Sequence, residues 1–138
     1  MTNIHNHNPR KRLEAIQESD KITEQNKEDM AEFYSALKTA KKGKARRERY
    51  LSTAKQILEY EENDFRLKDA SERQIEKIDD QIDSSAYYIK EYSPETKKEY
   101  RKFLRIFFKW SEKGKMDRDT DVPEKVDDIK AHVSEEVK

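Results

Sequence analysis

The strongest constraint on the fold comes from one segment of roughly twenty residues, which begins at Ser93 and ends at Gly114. Ser93-Pro94-Glu95 places a capping hydroxyl, a first-turn proline and an acidic side chain in the order that favours the start of a helix. Gly114 suits the end of that helix, because glycine readily adopts the left-handed conformation found there. The large apolar residues between these signals recur at helical spacing, and they are Tyr100, Phe103, Leu104, Phe107, Phe108 and Trp110. The segment therefore predicts the central helix of a helical domain.

Three further helices are predicted ahead of it, together with a short one that begins at Pro9. The first of the three starts near Asn26, whose amide suits a helix cap, and its apolar face is Met30, Phe33, Tyr34 and Leu37. The second runs from about Ala45 to Tyr60. The third opens at Ser71, where Ser71-Glu-Arg-Gln74 fits a capping box. Phe65 and Leu67 are expected to fill the core from the loop before it.

Only 2 glycines and 3 prolines among 138 residues, with 43% of residues charged, favour solvated helices over a β-rich protein. We therefore predict an all-α protein, a bundle of four to five helices with disordered or extended termini. Residues 1–25 are expected to form an N-terminal extension with a possible short helix, 26–113 the helical domain, and 114–138 a charged linker.

The composition also excludes several functions. The chain has no cysteine, no glycine-rich phosphate loop and no apolar run long enough to cross a membrane. Its histidines, His5, His7 and His132, make no catalytic or metal-binding pattern, although His7-Asn8-Pro9-Arg10 matches a short His-x-x-Arg motif by letter. We expect no catalytic residue, no metal, no cofactor and no membrane association, in a cytoplasmic protein.

Charge is unevenly distributed, although 30 basic residues balance 30 acidic ones overall. The stretches 41–50 and 94–110 are mostly basic, whereas 61–83 and 111–138 are mostly acidic. When the last helix is wound at about 100° per residue, five cations fall within an arc of roughly 100° opposite the aromatic face. These are Lys98, Arg101, Lys102, Arg105 and Lys109. A stripe of one sign repels itself, and a nucleic-acid backbone would supply the opposite charge.

Three other interpretations compete with DNA binding. A basic helical face is often merely solvated. The chain could be a helical protein-interaction module whose aromatic face docks a partner helix, in which case binding would depend little on salt. An enzyme with an unrecognised site is the third alternative, and the scarcity of histidine and cysteine argues against it.

Several segments together resemble the core-binding (SAM-like) domain of tyrosine recombinases, the phage-integrase class, in its archaeal and Xer-like branch. The most specific runs from Tyr92-Ser-Pro-Glu-Thr96 through Leu104-Arg-Ile-Phe107-Phe108-Lys-Trp110, which is similar to the last helix of that domain. Asn26-Lys27 with Met30 and Phe33, then Arg46 to Leu58, then Leu67-Lys-Asp-Ala-Ser71-Glu, and finally Val122-Pro-Glu-Lys-Val126 resemble its other parts in order. The chain departs from the pattern at the start of the second helix, where no Ser or Thr stands at the cap.

The resemblance implies a SAM-like bundle that forms one arm of a clamp on double-stranded DNA. The partners it implies are the protein's own catalytic domain, which would follow residue 138, and other recombinase protomers in a synaptic tetramer. This chain would itself not be an enzyme. Together with the stripe, the resemblance assigns DNA contacts to both basic helices, at Lys44, Arg46, Arg47, Thr96, Lys97, Lys98, Arg101, Lys102 and Arg105.

Overall fold

The computed structural model describes residues 7–129, and this part of the chain contains five α-helices and no strand. The helices are α1 (Pro9–Glu18), α2 (Glu24–Thr39), α3 (Lys44–Glu59), α4 (Glu72–Asp83) and α5 (Pro94–Lys113). Single 3₁₀ turns lie at Glu61–Asn63, Leu67–Asp69 and Glu124–Val126. The all-α prediction is confirmed. The prediction of disordered termini falls on residues 1–6 and 130–138, outside the described part.

Local capping explains most helix boundaries. The Ser71 hydroxyl accepts from the backbone N–H of Gln74 while the Gln74 side chain accepts from that of Ser71, which confirms the capping box. Ser93 caps α5 in the same way, and Gly114 ends it with a left-handed φ of 74°. At α2 the prediction was wrong by a few residues. The cap is Thr23, and Asn26 lies inside the helix.

Asn26 is buried because its amide joins α2 to the loop that precedes α4. Its Nδ2 donates to the carbonyl of Phe65 over 2.9 Å, and its Oδ1 accepts from the N–H of Leu67 over 3.0 Å. The same loop is held by Arg66, whose guanidinium donates two hydrogen bonds to the carboxylate of Asp29. Leu67 is fully buried and Phe65 half-buried, as predicted.

The core is built on the aromatic face of α5. Phe103, Phe107 and Phe108 have no exposed surface. Phe33 of α2 packs edge-on against Phe103 and Phe107, with ring centroids 5.8 and 5.3 Å apart. Each such side chain contributes about 1.5–3 kcal/mol by burial alone, so this cluster fixes which face of α5 points inward.

The bundle begins earlier than position 26. α1 packs on α2 and α3, and its Ile16 is fully buried. Ile22, between α1 and α2, is also buried. The segment predicted as an extension therefore contributes a helix to the core, with Pro9 in its first turn as expected.

The bundle also extends beyond 113. Met116, Val126 and Ile129 are buried, and the turn Glu124–Val126 packs on α4 and α5. Lys125 Nζ donates to the carbonyl of Ala70 over 2.9 Å. Up to Ile129, the segment predicted as a linker is thus part of the folded domain. That it leads to a catalytic domain stays a prediction. No helix within 7–129 is long and apolar enough to cross a bilayer.

We predict that Ile129→Ala lowers the free energy of unfolding by about 2 kcal/mol or more, because it removes a buried side chain. Chemical denaturation measures this change. The control is Ile89→Ala, at a side chain that is 91% exposed, which should change stability by less than about 0.5 kcal/mol. Equal, small effects of both substitutions would show that Ile129 belongs to a linker after all.

Candidate nucleic-acid interface

The basic faces of α3 and α5 meet around a single carboxylate. α3 packs against α5, and Glu99 of α5 accepts from Arg46 and Arg49 of α3 over 3.3 and 3.5 Å. Each arginine keeps a partly exposed guanidinium, with 36% and 52% of the side chain accessible. One carboxylate therefore orients two arginines at the surface.

Two lysines of α5 lie beside this group. Partial burial lowers the pKa of Lys102 below its ordinary value, and the positive charges of Arg46, Lys98 and Arg49 lower it further, against the opposing effect of Glu99. Neither Lys98 nor Lys102 has an ion-pair partner among residues 7–129. Four cations thus converge on one acid. We call Arg46, Arg49, Lys98 and Lys102 the α3–α5 basic surface.

Arg101 is not part of this surface, which corrects the prediction that it contacts DNA. Its side chain is 9% exposed, with Nε 2.8 Å from Asp79 Oδ1 and Nη2 2.6 Å from Asp83 Oδ1, both on α4. Winding α5 places Arg101 at one edge of the stripe, about 20° from buried Phe108. At that edge α4 packs on α5, and its acidic face supplies the partners.

The distal part of the stripe is held by the segment that follows α5. Arg105 Nη1 donates to the carbonyl of Ile129 over 2.6 Å, and Lys109 Nζ donates to that of Asp117 over 3.3 Å. Both side chains remain partly exposed, and a guanidinium has five donors. Arg105 therefore keeps donors for a ligand, although its orientation is set by the backbone.

Arg46 and Arg47 were predicted to act together, but they lie on opposite flanks of α3. Arg47 donates to the carbonyl of Lys42 and to the hydroxyl of Tyr34, and its guanidinium lies over the Tyr34 ring. Lys44 is exposed near it. Arg49 was missed, although it follows Arg46 by three residues, a spacing that puts both on one helix face.

Thr96 and Lys97 lie at the start of α5, as predicted from the cap. The backbone N–H of Thr96 donates to Ser93 Oγ, and its hydroxyl accepts from the same atom. Thr96 lines an open cavity of about 470 Å³ with Arg49, Glu95 and Glu99. These two carboxylates make the helix entrance less positive than the α3–α5 basic surface. Lys97 is half-buried.

Potential catalytic side chains are sparse in the described part of the chain. Residues 7–129 contain no group of three or more His, Cys, Asp and Glu side chains that could hold a metal ion. His7 Nδ1 lies 2.6 Å from Glu48 Oε1, and this contact helps to lower the pKa of Glu48. His5 and His132 lie outside the described residues.

A scan against models of protein families, a search of curated proteins and a search of solved structures each found no match for this chain. The resemblance to the core-binding domain of tyrosine recombinases therefore stays a prediction carried by the residues quoted above.

The pairing of Arg101 predicts a structural role. Arg101→Ala should lower the free energy of unfolding by roughly 1–3 kcal/mol, since it removes charge-assisted hydrogen bonds and leaves Asp79 unpaired. A double-mutant cycle with Asp79→Ala, followed by urea denaturation, measures the coupling. Additive effects of the two substitutions would contradict the pairing.

The crowding of Lys102 predicts a pH-dependent stability. Because its folded-state pKa lies below the ordinary value of 10.5, the charged amine destabilises the fold below the folded-state pKa, and this penalty fades as pH rises towards 10.5. Lys102→Gln should therefore raise the free energy of unfolding near neutral pH, and the gain should vanish at about pH 10.5. Lys77→Gln, at an exposed lysine near Glu62, is the control. A gain that does not change with pH would contradict this prediction.

Proposed function

We propose that this domain binds double-stranded DNA through the α3–α5 basic surface, with Arg105 at its edge. The observation that carries the proposal is the convergence of four cations from two helices on the single carboxylate of Glu99. Such a cluster is self-repelling, and it gains most from a partner with closely spaced negative charges.

A duplex meets this requirement better than a protein surface does. Its backbone carries one charge per about 1.7 Å of axis, and cations that contact it release condensed counterions. Lys98 and Lys102 are one turn apart on α5, roughly 6 Å along the axis, and the arginines of α3 lie beside them. Phosphate contacts of this kind position a domain on DNA, whereas sequence is read by side chains that reach the bases.

We further propose that the domain serves site-specific recombination as the core-binding domain of a tyrosine recombinase. Support comes from the order of the resembling segments, which fall on α2, on α3, on the turn before α4, on α5 and on the turn Glu124–Val126. In this proposal the bond-breaking chemistry belongs to a catalytic domain outside this sequence. Contacts with other protomers of a recombining tetramer are part of the same proposal.

The alternative, a protein-interaction module that docks a helix on the aromatic face of α5, has less physical support. That face is occupied by the domain's own core, where Phe103, Phe107 and Phe108 are fully buried. Among residues 7–129 the large apolar side chains that are well exposed are Tyr88 and Ile89, in the loop before α5. Two neighbouring side chains make a small docking surface.

We predict that Lys98→Ala with Lys102→Ala weakens duplex binding and lowers the slope of log affinity against log salt by about 2, one for each phosphate contact. Fluorescence anisotropy with a labelled duplex, at several salt concentrations, measures both quantities. Arg101→Lys should leave the slope unchanged, because Arg101 is engaged by α4.

The matched control removes two lysines from acidic surroundings. Lys21 lines a cavity with Glu59 and Asp64, and Lys77 lies 3.9 Å from Glu62. Lys21→Ala with Lys77→Ala changes net charge equally, so it should leave the salt slope nearly unchanged. If both double variants lowered the slope alike, binding would follow net charge and not the α3–α5 basic surface.

A further inference from the structure

A second basic region lies where the N-terminal ends of α1 and α3 meet α2. It surrounds an open cavity of about 400 Å³. Four of its lining residues are cations, from three different helices, and the lining contains no carboxylate. These cations are Arg10, Lys38, Lys44 and Arg47. This cavity takes no part in the α3–α5 basic surface.

The back of the cavity is rigidly organised around Tyr34. The guanidinium of Arg47 and the amine of Lys38 lie over its ring, at 5.6 and 5.5 Å from the centroid. Arg47 Nη1 also donates to the Tyr34 hydroxyl over 3.3 Å, and its Nε donates to the carbonyl of Lys42 over 3.0 Å. Two cations are thereby held in place without an acidic partner.

The mouth of the cavity carries Arg10 and Lys44, both exposed and neither in an ion pair with any residue between 7 and 129. Glu48, one turn after Lys44, does not neutralise them. It accepts from His7 Nδ1 over 2.6 Å and lies 3.5 Å from Arg12 Nε, and it lines a neighbouring cavity. The four cations therefore lack a counter-charge within the described part of the domain.

We propose that this cavity binds a phosphate group. Arginine presents planar donors that match phosphate oxygens, and lysine adds a point charge. A cavity of about 400 Å³ also has room for the sugar of a phosphodiester. Lys44 and Arg49 are only about 7.5 Å apart along α3, so one backbone that crosses the start of α3 would reach both basic regions.

The phosphate has two possible sources, a DNA backbone and a free phosphate. The first rests on the function proposed above, and the second does not. The first experiment therefore uses inorganic phosphate alone, titrated into the intact chain while backbone amide NMR shifts of Lys44 and Arg47 are followed. We expect saturable shifts that are lost in Arg10→Ala with Lys44→Ala and kept in Lys98→Ala with Lys102→Ala. Arg10→Lys with Lys44→Arg should restore them. An unperturbed amide spectrum elsewhere shows that each variant is folded.

The second experiment measures duplex affinity of the same variants against salt concentration. If the cavity holds a backbone phosphate, Arg10→Ala with Lys44→Ala lowers the salt slope by about 2. Saturable phosphate shifts without any duplex binding would support the cavity and overturn the DNA proposal. Duplex binding that depends on Lys98 and Lys102 alone, with no phosphate shifts at Lys44 and Arg47, would overturn the cavity and keep the DNA proposal.

Discussion

The contact between Phe33 of α2 and the aromatic face of α5 determines the rest of the architecture. Phe33 lies against Phe103, Phe107 and Trp110 at once, with ring centroids between 5.3 and 5.8 Å apart. Because these rings bury one side of α5 completely, its rotation about its own axis is fixed. The direction in which its lysines and arginines leave the helix follows from this packing.

Most of the helices could be predicted from the sequence because their signals are local. The capping box at Ser71 and the signals that bound α5, Ser93 and Gly114, depend only on neighbouring residues, and they lie where they were expected. The ends of the domain could not be predicted in this way. Between 114 and 129 the buried residues Met116, Val126 and Ile129 are too far apart, among charged residues, to form any period. Their burial depends on surfaces of α4 and α5 that only the folded chain presents.

The candidate interface was predictable in direction but not in membership. Winding α5 gives the side on which a residue lies, and this was sufficient for Lys98 and Lys102. It does not say which element covers the edge of that side. Arg101 lies where α4 packs, so its charge is used inside the domain. Arg46 and Arg47 diverge for a related reason, since adjacent residues lie about 100° apart on a helix.

The pairing of Arg101 also explains how a chain of zero net charge can present an unbalanced surface. Asp79 and Asp83 of α4 are engaged by Arg101, and Asp29 of α2 is engaged by Arg66. Acids that hold the bundle together in this way are directed at internal partners, and they are separated from Lys98 and Lys102. Electrostatic interactions at a protein surface fade over about 8 Å in physiological salt. What a polyanion encounters is therefore the local excess of cations around Glu99, and the neutral sum over the whole chain has little influence on it.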